Sequence, residues 1–355
     1  MTEKEQKNMP VPYKANWEET EARMRAWWKR KNINRVPMSI GISAPKNIVY
    51  PKAKDPEMFY TDAEFLKSYL KKIFENHHYA AETIPNYSFM LGYAFPGNFM
   101  KQKPLMDFST VWFNHTGEDL ASLPLDFDPS NDLWRKLLKL EKELLSVSMQ
   151  GLPVFIQPID VISMVLGAEK TCMELIERPE LIKSCRDRLL VTFKKMYNES
   201  YNLLQEKYTG STGWLPVWSP GKYFPVQCDF SCMISEDMFE EFVAPELEDL
   251  TNFLDNSIYH LDGAGALHHI PRLLKFKKID AIQWVPGAGK PEGMYWKEVF
   301  KQILEGGKGL YASIPANEVE EALKTLPKEG LWIATSAETL EEANELIKLA
   351  EKYGE

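Results

Sequence analysis

From Ser257 onward the sequence alternates short apolar runs with longer segments of helical period. Ser257 to Leu261 (SIYHL), Ala281 to Trp284 (AIQW), Gly309 to Ile314 (GLYASI) and Leu331 to Thr335 (LWIAT) have strand length. Ala266 to Lys275, Trp296 to Glu305, Asn317 to Leu326 and Ala337 to Tyr353 carry apolar residues at helical spacing. Strands that are apolar throughout are buried on both faces, and parallel neighbours need a crossover, usually a helix. The pattern predicts a parallel sheet covered by helices. Upstream, Arg35 to Ser43, Leu152 to Ile159 and Trp214 to Trp218 read as further strands, and Pro220 to Met233 as a long irregular loop. Asp62 to Tyr79, Ser130 to Ser148, Pro179 to Gln205 and Ser235 to Asp255 read as helices. About eight strands, most followed by a helix, fit an α/β fold with a single (β/α)8 TIM-type barrel better than an open sheet. Residues 1–34 read as an N-terminal extension with one helix, and 35–355 as the barrel domain.

Composition excludes several classes. The 355 residues carry a formal net charge of -9 and no long Lys/Arg run, so no nucleic-acid footprint is present. No apolar signal core opens the chain and no run approaches the roughly 18 apolar residues of a membrane span. The expectation is a cytoplasmic protein without a membrane partner. Cys172, Cys185, Cys228 and Cys232 contain no C-x-x-C pair, and no disulfide framework is expected. The pieces DGAGALHH and PGAGKPEG match neither the dinucleotide fingerprint nor the P-loop, so no nucleotide cofactor is expected. No G-x-S-x-G elbow is present, which disfavours esterase chemistry.

The candidate chemistry lies near His260 and Asp262. Two positions apart on a strand, both point to one side, and Gly263 turns the chain immediately after them. The C-terminal ends of parallel strands are where such folds place reacting groups. His260 and Asp262 could ligate a metal or act as an acid–base pair. Cys228, Cys232, His268 and Glu82 are candidates for a third ligand. Asp229 sits between the two cysteines in a loop before a helix and is a further catalytic candidate. Glu82, Tyr87, Trp214, Gln283 and Trp284 lie near strand ends and are expected to line one small-molecule cleft with His260. Of His268 and His269, one is expected to face solvent, since helix neighbours point about 100° apart.

Three segments resemble the uroporphyrinogen decarboxylase superfamily. They are Ile156 to Ile182 (IQPIDVISMVLGAEKTCMELIERPELI), Val226 to Leu247 (VQCDFSCMISEDMFEEFVAPEL) and His260 to Gly263 (HLDG). The resemblance implies a (β/α)8 barrel with its site at the C-terminal mouth. True decarboxylases of that family bind substrate carboxylates through an R-Q-A-G-R motif. Here the region reads ISAPKNIVY, without either arginine. The resemblance therefore points to the branch of corrinoid-dependent methyltransferases, which hold zinc with H-x-C and a further Cys near the last strand. His260 matches the histidine; Asp262 stands for the first Cys, and Ala334-Thr335-Ser336 offers none. Membership of that branch implies methyl transfer between a small substrate and a corrinoid on a separate protein, or a pterin such as tetrahydrofolate. Zinc would be held by His260, Asp262 and Cys228, and a homodimer is implied by relatives. The alternatives are a metal-free decarboxylase or lyase on a small carboxylate, and a non-catalytic ligand-binding barrel.

Overall fold

The computed structural model describes residues 11–45, 47–90, 104–114 and 117–354. The first ten residues of the N-terminal extension lie outside them. The described strands are β1 (Met38–Ile42), β2 (Asn86–Ser88), β3 (Leu105–Met106), β4 (Val111–Trp112), β5 (Met149–Gly151), β6 (Tyr223–Gln227), β7 (Asn256–Asp262), β8 (Ala281–Val285), β9 (Gly309–Ser313) and β10 (Leu331–Ala337). Six of them form a parallel sheet in the order β1-β10-β9-β8-β7-β6. Helices follow most of its strands, as an apolar parallel sheet requires. Among the described residues no helix is long and apolar enough to cross a membrane.

The four C-terminal runs and the first strand are in this sheet as expected. Leu152 to Ile159 is not. The strand there ends at Gly151, pairs with β2 in a separate two-stranded ladder, and Pro158 opens a helix, Pro158–Leu166. Trp214 to Trp218 forms no strand. Its expected place is taken by β6, inside the segment read as a loop. Pro225 hides this strand in the sequence, yet β6 is an edge of the sheet, where a missing N–H interrupts no ladder.

Individual hydrogen bonds run from one edge of the sheet to the other. Glu82 N donates to Met38 O beside β1, and β2 pairs with β5. Leu152 N donates to Thr212 O, Asn86 Nδ2 to Gly213 O, and Tyr223 N of β6 to Ser211 Oγ. The helix Trp17–Trp27 lies against the N-terminal ends of the strands: Trp27 Nε1 donates to Gly330 O at 2.8 Å, just before β10, and its ring meets Trp332 edge-on. At the same end Arg35 holds Glu82 in a bidentate pair, 2.7 and 2.8 Å, and Met38 N donates to the same carboxylate. Both side chains are buried, and Arg23 Nη1 also reaches Glu82 Oε1 at 3.4 Å; removing Glu82 would leave the buried Arg35 charge uncompensated.

A second buried carboxyl behaves differently. Glu141, on the helix Asp132–Leu144, accepts from Ser200 Oγ, while its other oxygen has no partner. Burial pushes it up to about 8 from an ordinary 4.5, against the opposing pull of Ser200. The folded protein thus holds a proton that the unfolded chain releases. This contribution is fully present below the unfolded value and is lost as pH rises through the folded one. Urea titrations should show stability falling between about pH 4.5 and 8, by at most about 1.4 kcal/mol per pH unit from this group. Glu141→Gln should flatten that slope; an unchanged slope would show that Glu141 ionises without penalty.

Candidate active site

Strand register assembles the centre. Gln227 of β6 pairs with His260 of β7, and His260 with Gln283 of β8. Registered residues of parallel neighbours face the same side, so these three form one row. Asp262, two residues on, joins that side at the end of β7, and Gly263 turns the chain with φ 82°. Asp229 stands just beyond β6, at the start of the 3-10 turn Asp229–Met233. One ligand atom each from Asp229, His260 and Asp262 lies within 4.8 Å of the other two. Trp214 meets the His260 ring edge-on, centroids 5.1 Å apart.

Each member is oriented by a neighbour. His260 Nδ1 lies 2.8 Å from Gln283 Oε1. An amide oxygen only accepts, so Nδ1 carries the proton and Nε2 offers its lone pair. Gln227 Nε2 donates to Asp229 Oδ2 at 3.0 Å. Asp160, in the first turn of the helix Pro158–Leu166, accepts from the backbone N–H groups of Asp229 and Phe230, both at 3.0 Å.

The electrostatics follow from crowding. Asp229 keeps part of its surface open to solvent, but burial, then the charges of Asp160 and Asp262, push its carboxyl up to about 7. Burial also raises Asp160, against the hydrogen bonds it accepts. Burial lowers His260, against Gln283, Asp262 and Asp160, and so favours the neutral imidazole. The arrangement offers a nucleophilic or ligating nitrogen beside a carboxyl, that of Asp229, which can hold or release a proton near neutrality.

Trp214 and Gln283 are therefore beside His260, and His260 and Asp262 converge. Other expected members lie elsewhere. Trp284 follows Gln283 and points to the opposite face, where it packs on Trp296 at 5.0 Å. Cys228 follows Gln227, is buried, and turns its thiol to Asp160 and the neighbourhood of Tyr259. Burial first, then Asp160, raises that thiol well above its ordinary range, opposite to what a ligating thiolate needs. Asp229 takes the place beside His260 and Asp262 that Cys228 was expected to fill. Glu82 is committed to Arg35 at the N-terminal end of β1. Tyr87 packs edge-on against Phe89 and lies near Tyr60 and Tyr69 of the covering helices. Sequence reasoning missed Gln227 and Asp160. Gln227 would have emerged from recognising β6; Asp160 carried no signal beyond its place in a helical first turn.

No family model matches the sequence, and no curated protein does. Among solved structures the chain is similar to a methyltransferase from Methanosarcina mazei, with 13% identity and a TM-score of 0.58. The likeness covers 94% of this chain and 98% of that one, and at this identity it speaks for the fold.

If Asp262 helps to raise Asp229, Asp262→Asn should lower the Asp229 pKa from about 7. It should stay above the ordinary 3.8, since burial and Asp160 remain. Carboxyl-carbon NMR titration of the metal-free protein measures this; an unmoved Asp229 would mean that the two carboxylates do not interact.

Proposed function

We propose that the chain is a methyltransferase of the uroporphyrinogen decarboxylase-like kind, moving a methyl group between a small substrate and a corrinoid on a separate protein, or a pterin such as tetrahydrofolate. On this reading the sheet closes into a (β/α)8 barrel, with the pair β2–β5 filling the gap between β1 and β6. The hydrogen bonds from Met38 through Asn86 and Thr212 to Tyr223 support that closure. The observation that carries the functional reading is the convergence of His260, Asp262 and Asp229 at the C-terminal end of a parallel sheet, in a fold similar to a methyltransferase over nearly its whole length.

The residues fit a divalent ion such as zinc. An imidazole and two carboxylates are ordinary zinc donors, and one ligand atom from each lies within 4.8 Å of the other two. Three protein ligands leave a position for substrate, as catalytic sites do. When bound, the ion would supply Lewis acidity that favours the anion of a thiol or hydroxyl acceptor. The chain's own groups do the rest. Gln283 fixes the His260 tautomer, Gln227 and the Asp160-anchored turn hold Asp229, and Trp214 packs edge-on against the His260 ring.

A metal-free lyase on a small carboxylate is the second reading, and one observation favours it. A carboxyl pushed up to about 7 gives Asp229 a proton to donate at neutral pH.

The two readings separate on the purified full chain. The methyltransferase reading expects bound zinc, and loss of methylcobalamin absorbance when a suitable thiol, alcohol or amine is supplied. A chelator should abolish that turnover, and His260→Ala should reduce it by about 10²–10⁴-fold. Carbon dioxide release from small carboxylates, with neither metal nor methyl transfer, would replace this reading by the lyase.

A further inference from the structure

Two imidazoles outside the cluster bind its two supporting turns together. The turn Asp229–Met233 follows β6 and carries Asp229; the 3-10 helix Ala264–His269 follows β7 and Asp262. His269 is buried, and its Nε2 lies 3.0 Å from Ser231 O. A carbonyl only accepts, so Nε2 donates. The His269 ring is stacked on Phe239 at 4.3 Å. His268 is exposed, lies 3.8 Å from His269 between centroids, and donates from Nε2 to Ile234 O at 3.2 Å. The turns also approach closely at Gly265: a Cβ there would stand 3.3 Å from Cys232 Cβ.

The segment bearing Asp229 is thus held at both ends. Asp160 fixes the N–H groups of Asp229 and Phe230, and the histidines fix the carbonyls of Ser231 and Ile234. His260 and Asp262, by contrast, sit in the β7 ladder. Asp229 is the one member of the trio placed by a turn. β6 and Gln227 tie the start of that turn to the ladder, and the latch from the β7 side ties its far end.

We propose that His269, assisted by His268, is a positioning residue that sets the distance of Asp229 from His260 and Asp262, and with it the geometry in which the trio binds a divalent ion. The inference rests on the reading that the trio holds a metal. A supporting group of this kind typically changes metal affinity by about 10–100-fold.

The test uses Co²⁺ added to the full chain after chelator treatment, read by its visible absorption and dissociation constant. His269→Phe keeps the stack on Phe239 and removes the donor; His269→Gln restores a donor at similar reach. The expected result is Kd raised about 10–100-fold with an altered cobalt spectrum for His269→Phe, and both returned to near wild type by His269→Gln. If His269→Phe fails to fold, Gly265→Ala decides, because its methyl would stand 3.3 Å from Cys232 Cβ and the facing turns must give by a few tenths of an ångström while both histidines remain; it should shift the same two readouts. Wild-type Kd and spectrum in the deciding variant would overturn the latch while leaving the metal reading intact. Wild-type protein that binds no Co²⁺ would overturn the metal reading, and the latch with it.

Discussion

The parallel register is the constraint on which the rest depends. It aligns Gln227 with His260, His260 with Gln283, Gln283 with Tyr311, and Tyr311 with Trp332. Five strands thus present one row of side chains to the same side. At one end of the row His260 and Gln283 are hydrogen-bonded; at the other Tyr311 stacks on Trp332, whose Nε1 donates to Ser39 Oγ of β1. A one-residue slip of β7 would turn His260 and Asp262 to the helix side and bring Tyr259 and Leu261 to the row. The bulk of Tyr259 and Leu261, both buried on the other face, holds the register against that slip. The packing of one face of the sheet and the chemistry of the other are therefore fixed by the same pairing.

The same period explains what could be read from the sequence. β7 to β10 were legible because each is an apolar run bounded by turn formers or helical segments. His260 and Asp262 were legible because their spacing and Gly263 say where the strand ends. Alternation also forbids Gln283 and Trp284, adjacent on one strand, from sharing a cleft, and Trp284 accordingly packs on Trp296. Cys228 fell to the same rule, but only once β6 was recognised. That strand was hidden by Pro225, whose missing N–H matters little at a sheet edge. Glu82 was misplaced for another reason. Its buried partner Arg35 is 47 positions away in the chain, and no local pattern announces a pairing of that separation.

Asp229 was legible as a residue with chemistry and illegible as a neighbour of His260. Its position depends on long-range contacts: Asp160 on the turn's N–H groups and the two histidines on its carbonyls. Such contacts cost conformational entropy and leave no periodic trace in sequence. They also give a turn the definition of an element in a ladder, which a reacting or ligating group requires.

The cluster's electrostatics connect both functional readings. Asp229 and Asp262 present oxygens within 4.8 Å of each other, with Asp160 close behind. Two full negative charges at such a separation repel by about 3–4 kcal/mol at an effective dielectric constant near 20. The charges acting on Asp229 are those of Asp160 and Asp262, both negative, so the repulsion is not offset there. A positive charge beside them would offset it. A proton is one solution: burial first, then these charges, push the Asp229 carboxyl up to about 7 and so favour its protonated form. A divalent cation is the other: it would displace that proton and use the free Nε2 of His260, which Gln283 already orients. The two proposed readings, methyl transfer with a metal and lyase chemistry with a proton on Asp229, would relieve the same repulsion in two ways. Which cation the cluster takes, H⁺ or M²⁺, decides between them.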